Sequence, residues 1–189
     1  MANNSIEVEI KFKIPDLSIL EEKIKTVGGR ELHRNSFQKT IRMDTVEESL
    51  QKKGIFLRVR GGEKKTMTVK SRLPNADKNF KEREELEIEI SDTELAEKML
   101  FTLGFTEKWI MEKYRTEYEL AGTTLALDHL PFGDYLEIEG DKSSIENVVQ
   151  MLGLEKQKRI ICTYWHLFDE YRKVNNLTGE DIVFDDKHD

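Results

Sequence analysis

Residues 6–14 read Ile6-Glu7-Val8-Glu9-Ile10-Lys11-Phe12-Lys13-Ile14, an unbroken alternation of apolar and charged side chains. A period of two is that of a β-strand with one apolar and one charged face. Pro15 ends the run, and Asp16 is placed to cap a helix predicted over 17–27, which Gly28-Gly29 stops. Working outward, strands are predicted near 36–45, 55–61 and 65–72, the last two joined by a Gly61-Gly62 turn. Residues 73–81 read as a polar loop.

The order then starts again. Residues 83–91 alternate, Asp92 stands where a helix cap is needed, and a helix is predicted over 93–103 before Gly104. Superposing Asp16 on Asp92 brings Gly28 onto Gly104, Glu9 onto Glu85, and Ile10, Phe12 and Ile14 onto Leu86, Ile88 and Ile90. Strands near 109–119, 122–128 and 134–140 follow, and helices near 143–152 and 160–174 close the pattern. The chain therefore reads as two copies of strand, helix and three strands, with an acidic tail over 176–189.

The charged faces narrow the architecture. Arg58 and Arg60 share a face, as do Lys70 and Arg72, Glu85 and Glu87, Lys113 and Arg115, and Glu137 and Glu139. One such strand is an ordinary solvated sheet face. Eight of them, with only four helices to cover an apolar side, fit a meander closed into a barrel, apolar outside and charged within. The expected fold class is α+β: a closed eight-stranded barrel forming a tunnel, flanked by helices. Its lining would bind a polyanion through the cations and a divalent metal through the carboxylates.

Composition is compatible with one domain over 1–175: 189 residues, 38% hydrophobic and 35% charged. A net charge of -7 argues against a general nucleic-acid binder. No apolar run approaches the roughly 20 residues of a membrane span, and Met1–Ser5 lacks signal-peptide character. Cys162 is the sole cysteine, so no intrachain disulfide forms, which suits a cytoplasmic location. A monomer and a homodimer are equally compatible with the sequence.

In order and type these residues resemble the scattered signature of the CYTH, or triphosphate tunnel, family. Glu7, Glu9 and Lys11 match its Glu-x-Glu-x-Lys element, and Leu57-Arg58-Val59-Arg60 its Leu-Arg-x-Arg strand. Thr68-Val69-Lys70, Arg83-Glu84-Glu85-Leu86-Glu87 and Glu112-Lys113-Tyr114-Arg115 are similar to its next three elements. Leu127-Asp128, Phe132-Gly133 and Glu137-Ile138-Glu139 follow in the family's order, then Thr163-Tyr164 leading into Leu167-Phe168. The resemblance implies an antiparallel barrel whose tunnel holds a triphosphate. It implies phosphate contacts from Lys11, Arg58, Arg60, Lys70, Lys113 and Arg115, with Lys11 and Lys70 also catalytic. It implies Mg²⁺ or Mn²⁺ on Glu7, Glu9, Asp128, Glu137 and Glu139. Glu85 and Glu87 are expected to support that set.

The chain departs from the family at two places. Arg42 stands near where an aromatic is usual, and Ile160-Ile161-Cys162 occupies the place of a C-terminal Lys or Arg, so Arg159, or else Lys158, is expected to take a catalytic part. The family includes triphosphatases and class IV adenylyl cyclases. The expected function is a metal-dependent hydrolase of tripolyphosphate or an organic triphosphate, the alternatives being cyclisation of ATP and binding without turnover. The four histidines show no metal-ligand spacing, and Gly61-Gly62-Glu63-Lys64-Lys65 lacks the ending of a phosphate-binding loop. Trp165, Leu167, Phe168 and Tyr171 fall at helical spacing for packing. Trp109 reads as a core residue, its alternative being a stack on an organic group at a tunnel mouth.

Overall fold

The computed structural model describes residues 3–74 and 77–185. Alternation becomes strand wherever it was expected: β1 (Asn3–Ile14), β2 (Arg30–Asp44), β3 (Ile55–Gly61), β4 (Thr66–Arg72), β5 (Lys81–Glu89), β6 (Thr106–Leu120), β7 (Thr123–Leu130) and β8 (Gly133–Glu139). Every pairing is antiparallel, and the order β1-β5-β4-β3-β2-β6-β7-β8 closes on itself through β8 and β1. The path is not one continuous meander. The runs β2–β5 and β6–β8 are two meanders, and β1 is inserted between their ends. In this arrangement β1 lies beside β5 and β8, while β5 lies beside β1 and β4, so the two copies occupy equivalent places.

The helices repeat the same logic. Asp16 caps α1 (Leu17–Thr26) with φ -148° and ψ 108°, and Asp92 caps α3 (Thr93–Thr102) with φ -143° and ψ 115°. Both carboxylates accept backbone N–H groups that the first turn leaves unpaired. Gly28 and Gly104 end the two helices at φ +94° and +90°, a region that a side chain disfavours. A short helix, α2 (Ser49–Lys52), was not expected from the sequence. It is organised by Asp44, whose carboxylate accepts the N–H groups of Thr45, Leu50 and Gln51.

The core lies outside the barrel. Ile10, Phe12, Leu125, Leu127, Leu136 and Ile138 meet Leu20 and Ile24 of α1 and Ile145, Val148 and Val149 of α4 (Lys142–Met151). On another flank Ile41, Met43, Leu57 and Val59 pack with Leu100 of α3. Burial of these side chains, at ~25 cal/mol per Å² of apolar surface, favours the closed ring over an open sheet. The other face of each strand is thereby turned inward.

Strand β2 begins at Arg30, six residues before the expected start. Its first stretch, Arg30–Asn35, is largely exposed and shows no alternation, yet it pairs with β6 across two register shifts. A further shift between Arg42 and Met43 turns the far end of the same pair.

The C-terminal region closes two gaps. β1 pairs with β5 only as far as Glu9, and beyond it Ile160 bridges Lys11 through two backbone hydrogen bonds of 2.9 and 2.8 Å. That bridge takes the place of the first turn of the expected helix, so α5 runs Tyr164–Val174. β6 pairs with β7 only from Tyr114 onward, and Ile182 bridges Met111 on the uncovered part. In place of a loose tail from 176, Ile182 is fully buried with Tyr164 and Phe168, and Phe184 packs on Tyr114 and His129. Residues 186–189 of that expected tail, and 75–76 of the expected loop, lie outside the described residues. Among the described residues no helix is long and apolar enough to cross a membrane.

Replacing Ile182 with alanine empties a filled site and is expected to cost ~2 kcal/mol or more of stability, read from a denaturant midpoint. An unchanged midpoint would show that the 181–184 segment does not hold the barrel.

Candidate triphosphate tunnel

Inward positions of seven of the eight strands, all but β7, line a cavity of about 880 Å³. Alternation decides which side chains reach it: Glu7, Glu9 and Lys11 from β1, Arg58 and Arg60 from β3, Lys70 from β4, Lys113 and Arg115 from β6, and Glu137 and Glu139 from β8. Of the residues expected at the site, all of these therefore share one space, with Glu85 and Glu87 of β5. Lys81, which the sequence did not single out, and Arg83, quoted there only as part of a motif, join them. The β1–β5 register sets Lys81 opposite Glu9 and Arg83 opposite Glu7, a pairing that only strand order reveals.

Charges alternate around the wall and neutralise one another. Lys70 bridges Glu7 and Glu85, each at 2.5 Å. Lys11 pairs with Glu9 and, at 3.2 Å, with Glu137; Glu9 also takes Lys81. Burial works against the Lys11 charge, but Glu137 and Glu9 outweigh it and hold its proton affinity above the usual range. Arg58 donates to Thr68, which donates to Glu87 at 2.7 Å.

Asp128 is fully buried behind this lining rather than open to the cavity. It accepts two bonds of 2.6 Å from Arg115, one of 3.0 Å from Lys113 and one of 2.7 Å from the Tyr164 hydroxyl. Burial disfavours its charge, yet Arg115 and Lys113 overcome this and draw its pKa down to about 2. Expected as a metal ligand, Asp128 is here taken up by Arg115 and Lys113, whose charges it balances. Tyr164, which the sequence offered only as part of a helix motif, completes that anchor and lies beneath Lys11 and Lys113.

Arg159 does not reach the cavity. Its guanidinium makes two bonds of 2.6 Å to Glu146 of α4 and lies over Phe80, on the outer side of the barrel. The Ile160–Lys11 bridge fixes the neighbouring backbone and leaves Arg159 facing α4. Lys158 is exposed and also lies off the cavity wall.

Charge is left incompletely balanced on two walls of the tunnel. Arg60 has no ion-pair partner among the described residues, and its one bond, of 3.3 Å, goes to Thr40. Burial, with Arg58 and Arg115 beside it, lowers its pKa to about 9. Lys113 falls to about 7 through burial and the adjacent Arg115. On the opposite wall, Glu7, Glu9, Glu137 and Glu139 are crowded. Enclosure by the barrel and the charges of Glu7, Glu137 and Glu9 raise Glu139 to about 7, although the residue is exposed. The buried Oε2 of Glu7 has no hydrogen-bond partner among the described residues.

Hard oxygen donors crowded in this way suit Mg²⁺ or Mn²⁺. Lysines pair with Glu7, Glu9 and Glu137, and no three acidic, histidine or cysteine side chains among the described residues are drawn into metal-ligating geometry. By the chemistry of its donors, the acidic wall fits a divalent cation.

Asp128→Asn would remove the counter-charge of buried Lys113 and the nearest one of Arg115, at an expected cost of ~3 kcal/mol or more. A carboxylate with a lowered folded-state pKa contributes stability that is complete above its unfolded value of 3.8. That contribution disappears as pH falls through about 2. Acid titration followed by circular dichroism is expected to show this loss in the native protein and a shallower one in Asp128→Asn.

Comparison with known proteins agrees with this geometry. The CYTH domain matches residues 5–160. A protein of Methanocaldococcus jannaschii, provisionally named an adenylate cyclase, is 31% identical over 148 residues, which is 78% of this chain and 83% of that one. A solved structure from Pyrococcus horikoshii superposes with a TM-score of 0.70 at 26% identity, covering 88% of this chain and 99% of its own. A Hippeastrum protein, provisionally an adenylyl cyclase and described as having a dominant triphosphatase activity, superposes at 0.64 with 20% identity, over 87% and 96%. Sequence match and closed barrel converge, and the chain belongs to the CYTH family.

Proposed function

We propose that this chain is a divalent-metal-dependent triphosphatase acting inside the barrel. One observation carries the reading: Arg60, enclosed beside Arg58 and Arg115, forms no ion pair among the described residues. A group of fixed cations with too little counter-charge is a site for a polyanion, and a triphosphate supplies about four negative charges. Arg58, Arg60, Lys113 and Arg115 would hold phosphate oxygens from one wall, and Lys11 and Lys70 would turn to them from the carboxylate wall.

Glu7, Glu9, Glu137 and Glu139 would hold Mg²⁺ or Mn²⁺, with Asp128 acting through Arg115 and Lys113. When bound there, such an ion supplies charge neutralisation at the phosphate and lowers the pKa of a coordinated water. The chain itself orients the phosphates and stabilises charge developing on them through Lys11, Lys70 and the arginines. Arg159 has no part in this proposal. Hydrolysis needs a water on the carboxylate side, where Glu139 is open to solvent. Cyclisation would need in addition a ribose hydroxyl held against the α-phosphate. The triphosphatase activity described for the Hippeastrum protein supports hydrolysis, and the name of the M. jannaschii relative keeps cyclisation as the second reading.

The test is to incubate the protein with tripolyphosphate, thiamine triphosphate and ATP in Mg²⁺ or Mn²⁺ and identify products by mass. Phosphate release is expected, and its complete loss on chelation. Cyclic AMP with pyrophosphate from ATP would replace hydrolysis by the second reading. Arg60→Ala is expected to weaken catalytic efficiency by roughly 10–100-fold, the worth of one charged hydrogen bond. Glu9→Ala retaining full turnover in saturating Mg²⁺ would contradict the assignment of the acidic wall.

A further inference from the structure

The two internal repeats are not covered alike on the outside of the barrel. Superposing Asp16 on Asp92 sets Ile10 and Phe12 of β1 on Leu86 and Ile88 of β5. Ile10 and Phe12 are fully buried, in one core with Ile145, Val148 and Val149 of α4. Leu86 and Ile88 are 48% and 40% exposed. Connectivity explains the difference. Helix α4 follows β8, the last strand of the second repeat, and lies beside α1, where Lys23 donates to the Leu152 carbonyl at 2.7 Å. The last strand of the first repeat, β4, ends at Arg72 and β5 begins at Lys81, which leaves no room for a helix of α4's ten residues. A seat that α4 fills on one side of the barrel is therefore open on the other.

Helix α3 is the wall of that open seat. Leu100 points down into a core with Leu57 and Val59 of β3. Glu97 lies near the charges of Lys39 on β2 and Glu107 on β6. At 3.6 residues per turn, Leu95 and Met99 fall on the other side of the Leu100 row, toward β4 and β5. Met99 is the repeat's equivalent of Lys23, the α1 residue that touches α4. Leu95, Met99 and Leu103 form one stripe, and each is more than half exposed. So is Ile6 of β1, which neighbours Leu86 across the β1–β5 register. Floor and wall together leave roughly 500–600 Å² of apolar surface in one place, the upper end for a monomer's largest patch.

The seat suits an apolar helix face, and the chain itself presents one. Helix α3 carries the spare stripe, but Leu100 holds it over β3, so it cannot enter the seat beside it. A second copy, related by a two-fold axis running along the seat, removes that obstacle. Its α3 comes beside the first, stripe to stripe, and over the open β5, and the reverse holds for the other copy. A stable dimer buries about 800 Å² per protomer, about two-thirds of it apolar, which the open patch supplies.

We propose that the α3–β5 face is a homodimer interface, in which Leu95 and Met99 of each chain cover Leu86 and Ile88 of the other. The contact lies on the outer face of strands whose inner face lines the tunnel, so each barrel keeps its own cavity.

Sedimentation velocity tests this. The wild-type chain is expected to sediment at twice its chain mass over roughly 1–100 µM. Ile88→Lys combined with Met99→Lys places charges in both halves of the contact and is expected to weaken the dimer by about a hundredfold or more, with circular dichroism checking that the chain stays folded. A second measurement does not depend on that variant. Cys162 is the sole cysteine, so Met99→Cys in a Cys162→Ser background carries one thiol. A short bismaleimide is expected to join two such chains covalently, because residues nearest a two-fold axis meet their own copies. A wild-type monomer throughout the concentration range would overturn the proposal and leave the seat to a helix of another protein. A dimer that survives both lysines, or that does not cross-link through position 99, would place the contact elsewhere and overturn it as well.

Discussion

A charged side chain can be enclosed in protein only if its counter-charge is enclosed with it, and the interior of this barrel is organised by that requirement. Lys11 is buried because Glu9 and Glu137 are buried beside it, and Arg115 because Asp128 accepts two of its hydrogen bonds. These partners lie far apart in sequence. The closed order of strands brings β1 against both β5 and β8, and so brings Lys81 to Glu9 on one side and Glu137 to Lys11 on the other. An opened sheet would expose the outer core and separate the inner pairs together. The apolar exterior and the ionic interior are therefore two results of the same alternation.

The pairs are not equal in strength or in purpose. Asp128, with Arg115, Lys113 and Tyr164, forms a satisfied and fully buried anchor. Glu7, Glu9 and Glu139 are held less completely. Among the described residues one oxygen of Glu7 lacks a partner, and burial together with three nearby carboxylates raises Glu139 to about 7. Arg60 is the matching deficit on the cationic wall. Partial satisfaction is destabilising in the empty tunnel, and a bound metal and polyanion would relieve it at both walls. The C-terminal region contributes by closing what the strands leave open: Ile160 and Ile182 cover two uncovered strand edges, and α5 between them sets Tyr164 and Trp165 against the cavity.

Much of this was readable in the sequence because alternation is a local signal. The run from Ile6 to Ile14 defined a strand with one charged face, and the Asp16/Asp92 and Gly28/Gly104 correspondences proved to be caps of the same geometry. Features that depend on register were not readable. Lys81 gave no sign of belonging to the site until β5 was seen beside β1, and Asp128 carried the right residue type for a metal without its depth in the wall. Arg159 was placed by analogy with a basic position that the Ile160–Lys11 bridge turns away from the cavity. The early start of β2 and the order imposed on 181–184 depend on pairing with distant strands, which composition alone does not encode.

The central claim is that this interior is an incomplete ionic lattice completed by a triphosphate with its metal. Ligands that bind only the folded state raise its stability in proportion to their occupancy. Thermal unfolding with Mg²⁺ alone, tripolyphosphate alone and both together tests the claim most directly. The account predicts a rise in Tm of several degrees with both, larger than the sum of the separate effects, and none with orthophosphate. No shift with the combination, or an equal shift with orthophosphate, would contradict it.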